Sequence, residues 1–410
     1  MNGNVLALGL AIVPAIDDIL RDGARRALQA AIEREVEEYI ERNSQHRDEN
    51  GHRLVVRNGH HPARKIQSGN GPIEVRQPRV NDKRVDEAGN RFHFTSQILP
   101  PYLRKSKAIE ELVPWLYLKG ISTSDFPEAL ACLGHDGSGL SATSVVRMKE
   151  IWQGQYEDFS RRSLEGKRYV YLWADGIYFN IRLTDDRPCV LVLMGALEDG
   201  TKELIAMIDG ERESAQSWLE LLVDAKSRGM IDAPMLATAD GALGFWKALR
   251  QVYPSTRHQR CWVHKTANVL NNLPRGLHGS AKNILHEIWM SATKADATKA
   301  MEKFAATYQA KYPKAVECLL KDKEELLAFY DFPAEHWQHL RTSNPIESTF
   351  ATVRLRTSKT KGAGSRTACL AMAFKLVESA QNHWRKLNGS TLLPAVIAGT
   401  IFKDGEKLAA

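Results

Sequence analysis

Residues 168–183 read Arg-Tyr-Val-Tyr-Leu-Trp-Ala-Asp-Gly-Ile-Tyr-Phe-Asn-Ile-Arg-Leu. Aromatic and β-branched side chains dominate, and these fit a pleated, buried surface, so the stretch reads as strand. One carboxylate, Asp175, interrupts it. An acid in such a run is costly to bury unless it is paired, hydrogen-bonded or holding a cation. A plainer reading is also open. Asp-Gly between two apolar runs is a strong hairpin signal, which would make 175–176 a turn. Local sequence alone favours that turn; the surrounding chain shifts the balance.

Downstream, strand patterns at 169–175, 177–183, 189–197 and 203–208 are followed by a helix at 214–228, carrying Trp218, Leu219, Leu222 and Val223 on one side. A strand at 235–239 runs into Asp240-Gly241, a helix covers 243–252, and 258–263 reads as a last short strand. Three meandering strands, then helix, strand, helix, strand, is the order of a ribonuclease-H-like α/β core, with Asp175 near the sheet centre. Residues 277–330 are rich in Ala, Lys and Glu with no strand signal, so they read as an all-helical subdomain inserted into that core. Residues 331–341 bring the chain back.

Upstream, apolar residues at helical spacing (Ile16, Ile19, Leu20, Leu28, Ile32, Val36, Tyr39, Ile40) predict an amphipathic helix over 15–43, a core element or a partner-helix seam. Residues 51–84 hold eight Lys or Arg against Glu74 and Asp82, with short alternating pieces that suggest a small β unit or extended arms. A solvated loop and a phosphate-contacting segment are equally good readings of that charge. Residues 106–156 predict three helices, the second starting at Ser122 and the last covering 142–156. Helix, turn, helix with Arg147 and Lys149 on the final member is one way to read DNA, although many helical hairpins bind nothing.

The chain has 410 residues, a net charge of +7 and a pI near 9.0. No apolar run approaches the roughly 20 residues of a membrane span. The first Arg is Arg21, after the mildly apolar start, which argues against a secretory signal. Five scattered cysteines suit a reducing cytoplasm better than a disulfide scaffold.

The third informative stretch is 344–358. Asn344 is placed to cap a helix, Pro345 to sit at its first position and Glu347 third, so Glu347 reads first as half of a capping box. Yet after Glu347 no acid appears until Glu378, while Arg354, Arg356, Lys359, Lys361, Arg366 and Lys375 do. A basic, acid-free run beside a carboxylate suits a surface that holds phosphates near a metal. Asp175, Asp240 and Glu347 would then fall on a first strand, after a later strand and at a helix start, places that converge in a ribonuclease-H-like fold. Three carboxylates suit two Mg²⁺, a hard cation, with Mn²⁺ as substitute. Spacing alone leaves Asp185, Asp186, Asp199 and Asp209 as alternatives.

Residues 329–357, from Phe-Tyr-Asp-Phe-Pro to Val-Arg-Leu-Arg-Thr, closely resemble the Mutator-superfamily transposases of bacterial insertion sequences, as do Thr238-Ala239-Asp240-Gly241 and Gln259-Arg260-Cys261-Trp262-Val263-His264-Lys265. The likeness runs from the basic segment near residue 57 to about residue 387. It implies a DDE triad on a ribonuclease-H-like core with a helical insertion before the glutamate. By match, Asp175, Asp240 and Glu347 become its metal ligands. The implied activity is cutting DNA at the element's terminal inverted repeats and joining the freed 3′ hydroxyl to target DNA, by a copied circle rather than excision. A catalytically silent DNA-binding regulator and a nuclease without strand transfer are the competing readings.

The expected organisation is a helical segment at 1–50, a basic β or extended segment at 51–105, helix-turn-helix-like DNA binding at 106–165, the core at 166–275 and 336–410, and the helical insertion at 276–335. Expected DNA contacts are Arg147, Lys149, Arg354, Arg356, Lys359, Lys361 and Arg366. Cys261 and His264 share the spacing of half a zinc site, but no second pair stands at matching spacing. They are therefore expected to pack and orient groups near Asp240, with metal binding as the lesser alternative. Trp337 is expected to be partly buried packing, with stacking on an extruded base as the alternative. Double-stranded DNA is the expected partner, a homodimer the expected assembly, and the cytoplasm, on the nucleoid when DNA is bound, the expected location.

Overall fold

The computed structural model describes residues 4–107, 109, 112, 116, 142–178, 189–210, 213–241, 243–359 and 366–408; of 4–15, 142–149, 348, 352 and 355–359 only the backbone is described. Two compact units divide at Met148 and Lys149.

In the first unit, helix α1 (Asn4–Arg42) starts earlier than its amphipathic pattern predicts. Its later half buries Ile32 and Val36, and Ile32 shares a small core with Ile66, Ile73, Val75 and Leu99. Ile16, Ile19 and Leu20 stay exposed. The basic segment forms two antiparallel pairs: β1 (Val55–His60) with β4 (Pro78–Asp82), and β2 (Arg64–Ser68) with β3 (Gly71–Val75). A small β unit, not a solvated loop, is what the alternation of Ile66, Ile73 and Val75 produces. The helices predicted before residue 142 lie outside the described residues, apart from scattered positions.

The second unit is built on a five-stranded mixed sheet. It contains β5 (Tyr169–Tyr178), β6 (Cys189–Leu197), β7 (Lys202–Gly210), β8 (Leu236–Ala239) and β9 (Arg257–Arg260), in the order β7-β6-β5-β8-β9. The first three strands are antiparallel; β5, β8 and β9 are parallel. Strands β5 and β6 are buried almost throughout, as their continuous apolar runs require of a sheet covered on both faces. One face carries helix α3 (Ala215–Ser227) and helix α4 (Leu243–Val252), whose Trp218, Leu221, Leu222, Phe245 and Leu249 pack with Leu172 and Ala174 of β5. Ser214 caps α3, its hydroxyl accepting from the Ser217 N–H at 3.1 Å. Helix α2 (Ala142–Arg161) donates the Tyr156 hydroxyl to the Met207 carbonyl at 2.8 Å.

The other face is covered by the returning segment. The Tyr171 hydroxyl meets His336 Nδ1 at 2.8 Å, and Trp173 Nε1 donates to the His339 carbonyl at 2.8 Å. The Thr238 hydroxyl donates to the Leu340 carbonyl at 2.7 Å. Between the two halves lies a helical block: α5 (Trp262–Leu270), α6 (His278–Met290), α7 (Lys294–Tyr308) and α8 (Pro313–Leu320). It is pinned at its base, where Gln259 takes the Phe329 N–H at 2.8 Å and Lys265 donates to the Cys318 carbonyl at 2.8 Å. Helices α9 (Asn344–Lys359) and α10 (Arg366–Gln381) follow.

Two boundaries differ from expectation. No turn occurs at Asp175-Gly176: β5 passes straight through, pairing Asp175 with Val192 and Gly176 with Leu191. The cross-strand partners on β6 override the local turn preference. The last strand ends at Arg260 and residue 263 is helical, because the chain turns after Cys261 so that Trp262 can enter the core, its Nε1 donating to the Leu326 carbonyl at 2.9 Å. No helix among the described residues is long and apolar enough to cross a membrane.

Candidate active site

The site is set by strand register. Ala174 of β5 pairs with Ala239 of β8, and Ala239 pairs with Arg260 of β9. The next residue on each parallel strand is Asp175, Asp240 and Cys261. Neighbouring strands lie about 4.8 Å apart, so two acids and a thiol form a row at the carboxyl ends of the strands. Side chains alternate along a strand. Leu172 and Ala174 face α3 and α4, leaving Tyr171, Trp173 and Asp175 to face the returning segment.

That segment delivers Glu347. The Trp262 N–H donates to the Arg341 carbonyl at 3.0 Å, which fixes the entry to α9, and Glu347 lies in its first turn. The helix begins at Asn344, one residue before the predicted start, so Ser343 occupies the capping position and Asn344 is already helical. Nor is a capping box formed. The Ser343 N–H points to Cys261 Sγ at 3.3 Å, while its hydroxyl donates to Glu347 Oε1 at 2.7 Å.

Asp175 is 7% exposed and accepts a hydrogen bond from the Gly176 N–H at 2.8 Å. Burial pushes its carboxyl up to about 7. The charges of Asp240 and Glu347 act in the same direction, against His264 and the Gly176 N–H. Each of the three acids is thus electrostatically felt at one place.

Glu213, which no motif flagged, joins them. Its carboxyl is raised by burial and then by the charge of Asp240. It lies over Gly176, where a Cβ would stand 2.6 Å from its Oε1, and its main-chain oxygen lies 2.5 Å from where a Cβ on Gly244 would be. Two glycines admit this acid, a signal that becomes readable only once the strands are paired.

Cys261 and His264 lie against Glu347, and the Cys261 N–H donates to the Ala239 carbonyl, the residue before Asp240, at 2.9 Å. His264 Nδ1 is 3.6 Å from Glu347 Oε1, and Cys261 Sγ is 3.9 Å from the same oxygen. The hydrogen bond with Cys261 raises His264 to about 9, against burial, with the charges of Asp175 and Glu347 adding to the rise. Ser343, fully buried, was also missed by the sequence reading. Trp337 packs with Tyr330 and Phe329 at ring distances of 4.8 and 5.4 Å, and its Nε1 donates to the Phe332 carbonyl at 2.8 Å.

Of the expected DNA contacts, Arg354 is exposed on α9, with its guanidinium 5.9 Å from the Phe350 ring centroid. Arg366 on α10 is held by Asp209 of β7 at 2.8 and 3.2 Å. Arg147, Lys149, Arg356 and Lys359 are on α2 and α9 with side chains outside the described part, and Lys361 lies outside the described residues.

The family model for "Transposase, Mutator family" matches residues 4–387. The chain is 51% identical over 300 residues to the transposase for insertion sequence element IS6120 of Mycolicibacterium smegmatis, covering 73% of this chain and 93% of the relative. It is 49% identical over 286 residues to the transposase for insertion sequence element IST2 of Acidithiobacillus ferrooxidans, covering 68% and 94%. A more distant relative, the transposase for insertion sequence element ISRM5 of Rhizobium meliloti, is 27% identical over 376 residues, 90% of each chain. The chain belongs to the Mutator family of insertion-sequence transposases.

Proposed function

We propose that the chain is a DDE-type transposase with a ribonuclease-H-like core, and that Asp175, Asp240 and Glu347 are its catalytic carboxylates. The observation that carries this reading is that the charges of Asp240, just past the end of β8, and Glu347, at the start of α9, both act on the buried Asp175 of β5. The donor set suits the expected cation. Burial, with the charges of two other carboxylates behind it, pushes the Asp175 carboxyl up, an arrangement a hard divalent ion relieves. These three residues would hold Mg²⁺, or Mn²⁺ in its place. When bound, the ions supply Lewis acidity at the attacking and leaving oxygens of a phosphodiester.

The residues of the chain supply position and charge. The strand ends fix Asp175 and Asp240 rigidly, and Ser343 holds one oxygen of Glu347. The basic residues that follow Glu347 in the chain, Arg354, Arg356, Lys359, Lys361 and Arg366, bind the phosphates of element ends and target, and so do Arg147 and Lys149. Water attacks the phosphodiester at the element's terminus and a 3′ hydroxyl leaves. That hydroxyl then attacks a target phosphodiester, whose own 3′ oxygen leaves. Each joining exchanges one phosphodiester for another, so it needs no nucleotide cofactor. Working on two ends calls for two protomers, and exposed Ile16, Ile19 and Leu20 on α1 support self-association.

Incubating the protein with labelled element ends, Mg²⁺ and a target plasmid tests the reading. Joined product is expected, and Ala at Asp175, Asp240 or Glu347 should cut the yield by about 10³-fold or more while sparing DNA binding. Undiminished joining by Asp240→Ala would refute the assignment. Cleavage without joining indicates a nuclease; binding alone indicates a regulator.

A further inference from the structure

We propose that Cys261, His264 and Glu347 form a binding site for a thiophilic divalent cation of the zinc class, closed by Ser343 and sharing one carboxylate with the triad. The sequence offers only half a zinc site, Cys-x-x-His. The fold supplies the third donor from far along the chain.

One donor atom from each of Cys261, His264 and Glu347 lies within 4.8 Å of the other two. Nδ1 is 3.6 Å and Sγ 3.9 Å from Oε1. In tetrahedral zinc sites, with bonds of about 2.3 Å to sulfur and about 2.0–2.2 Å to nitrogen and oxygen, neighbouring donors stand roughly 3.3–3.6 Å apart. The two spacings to Oε1 need only a few tenths of an ångström of closure. The Ser343 hydroxyl touches all three donors, at 2.7 Å from Oε1, 3.2 Å from Sγ and 3.4 Å from Nδ1. It marks the fourth corner, to be filled by itself or by water.

The scaffold is rigid. The Cys261 N–H donates to the Ala239 carbonyl at 2.9 Å, directly after β9, and His264 and Glu347 sit in the first turns of α5 and α9. Cys261 and Ser343 are buried, while the His264 side chain is 35% exposed and gives an entry path. Thiolate and imidazole suit zinc and not Mg²⁺. Binding releases the Cys261 thiol proton, together with any proton on His264 Nδ1, to solvent. A cation here ties up Glu347 Oε1, and on the proposed catalytic reading it therefore inhibits joining; the binding itself does not depend on that reading.

The test uses the full chain, freed of metal, titrated with Zn²⁺ against a chromogenic chelator and, in parallel, with Co²⁺ followed by absorption. One tight equivalent is expected, with the intense visible bands of tetrahedral Co²⁺ and a thiolate-to-cobalt charge-transfer band. Cys261→Ser and His264→Gln should each weaken binding by at least about tenfold, whereas Asp240→Ala should keep it. Co²⁺ bound without a thiolate band in the unmutated chain would overturn the site regardless of how the variants fold. So would Zn²⁺ affinity that Cys261→Ser leaves unchanged or Asp240→Ala abolishes. Zn²⁺ that fills the site yet leaves Mg²⁺-supported joining intact would overturn the shared carboxylate.

Discussion

Two aspartates in this molecule are equally buried and differently treated. Asp82, in the small β unit, and Asp175, on the central strand of the large sheet, are each 7% exposed. Asp82 accepts from the Tyr39 hydroxyl at 2.7 Å and from the Arg84 side chain at 2.7 and 3.0 Å, with the Arg84 N–H at 3.0 Å besides. Burial alone would raise its carboxyl; the Arg84 and Tyr39 bonds outweigh burial and hold it below the usual range. At Asp175 burial, joined by the charges of Asp240 and Glu347, prevails over the His264 charge and the Gly176 N–H. One carboxylate is internally neutralised and ties a fold together. The other keeps a raised carboxyl that its neighbours do not offset, which is how a site differs from a strut.

The largest effect that sharpens this contrast is in stability. Asp82→Ala leaves the half-buried Arg84 without its carboxylate and should cost about 3 kcal/mol, read from denaturant unfolding of the full chain. Asp175→Asn, in chelator, should be neutral or stabilising by about 1 kcal/mol, because it removes a charge whose burial the His264 charge and the Gly176 N–H do not offset. Equal destabilisation by both would erase the distinction.

The pH dependences should run in opposite directions. The folded value of Asp175, about 7, lies above its unfolded value near 3.8. Its contribution is full below about pH 3.8 and is lost as pH rises towards 7. Asp82 has a lowered folded value, so its contribution is present above about pH 3.8 and is lost as pH falls through the folded value. Unfolding curves of wild type against Asp175→Asn between pH 4 and 8 in chelator should diverge by a few kcal/mol at most, at about 1.4 kcal/mol per unit. Parallel curves across that window would remove the charge load assigned to Asp175.

The smallest effect concerns Arg366. Its pair with Asp209 is partly exposed and should contribute about 0–1 kcal/mol to stability. If it instead serves a phosphate, Arg366→Ala should reduce the salt slope of DNA binding by about one. An unchanged slope with lower stability would make it a strut like Arg84.

Much of the large sheet was legible because buried strands and amphipathic helices write their periods plainly. The helix at 243–252 appears as read, and α3 differs from its predicted span only by the capping residues Ser214 and Arg228. Asp175-Gly176 misled because turn propensity is local, whereas β6 holds Gly176 in the ladder through Leu191. Strand β9 was drawn too long because apolar Trp262 and Val263 suit a strand as well as a helix. Asp175, Asp240 and Glu347 could be named from a resemblance, but their meeting depends on parallel register, which spacing does not encode. Glu213 and Ser343 stayed hidden for the same reason. One is admitted by glycines on other elements, and the other is defined by contacts with Cys261 and Glu347.

The most direct test of the central claim is Mg²⁺-dependent stability at pH 7. A cation held by Asp175, Asp240 and Glu347 stabilises the native chain by mass action, so each tenfold rise in Mg²⁺ above its dissociation constant should add about 1.4 kcal/mol. That gain should appear in wild type and in Asp82→Asn and vanish in Asp175→Asn. The same gain in Asp175→Asn, or none in wild type, would contradict the claim that these carboxylates hold the ion together.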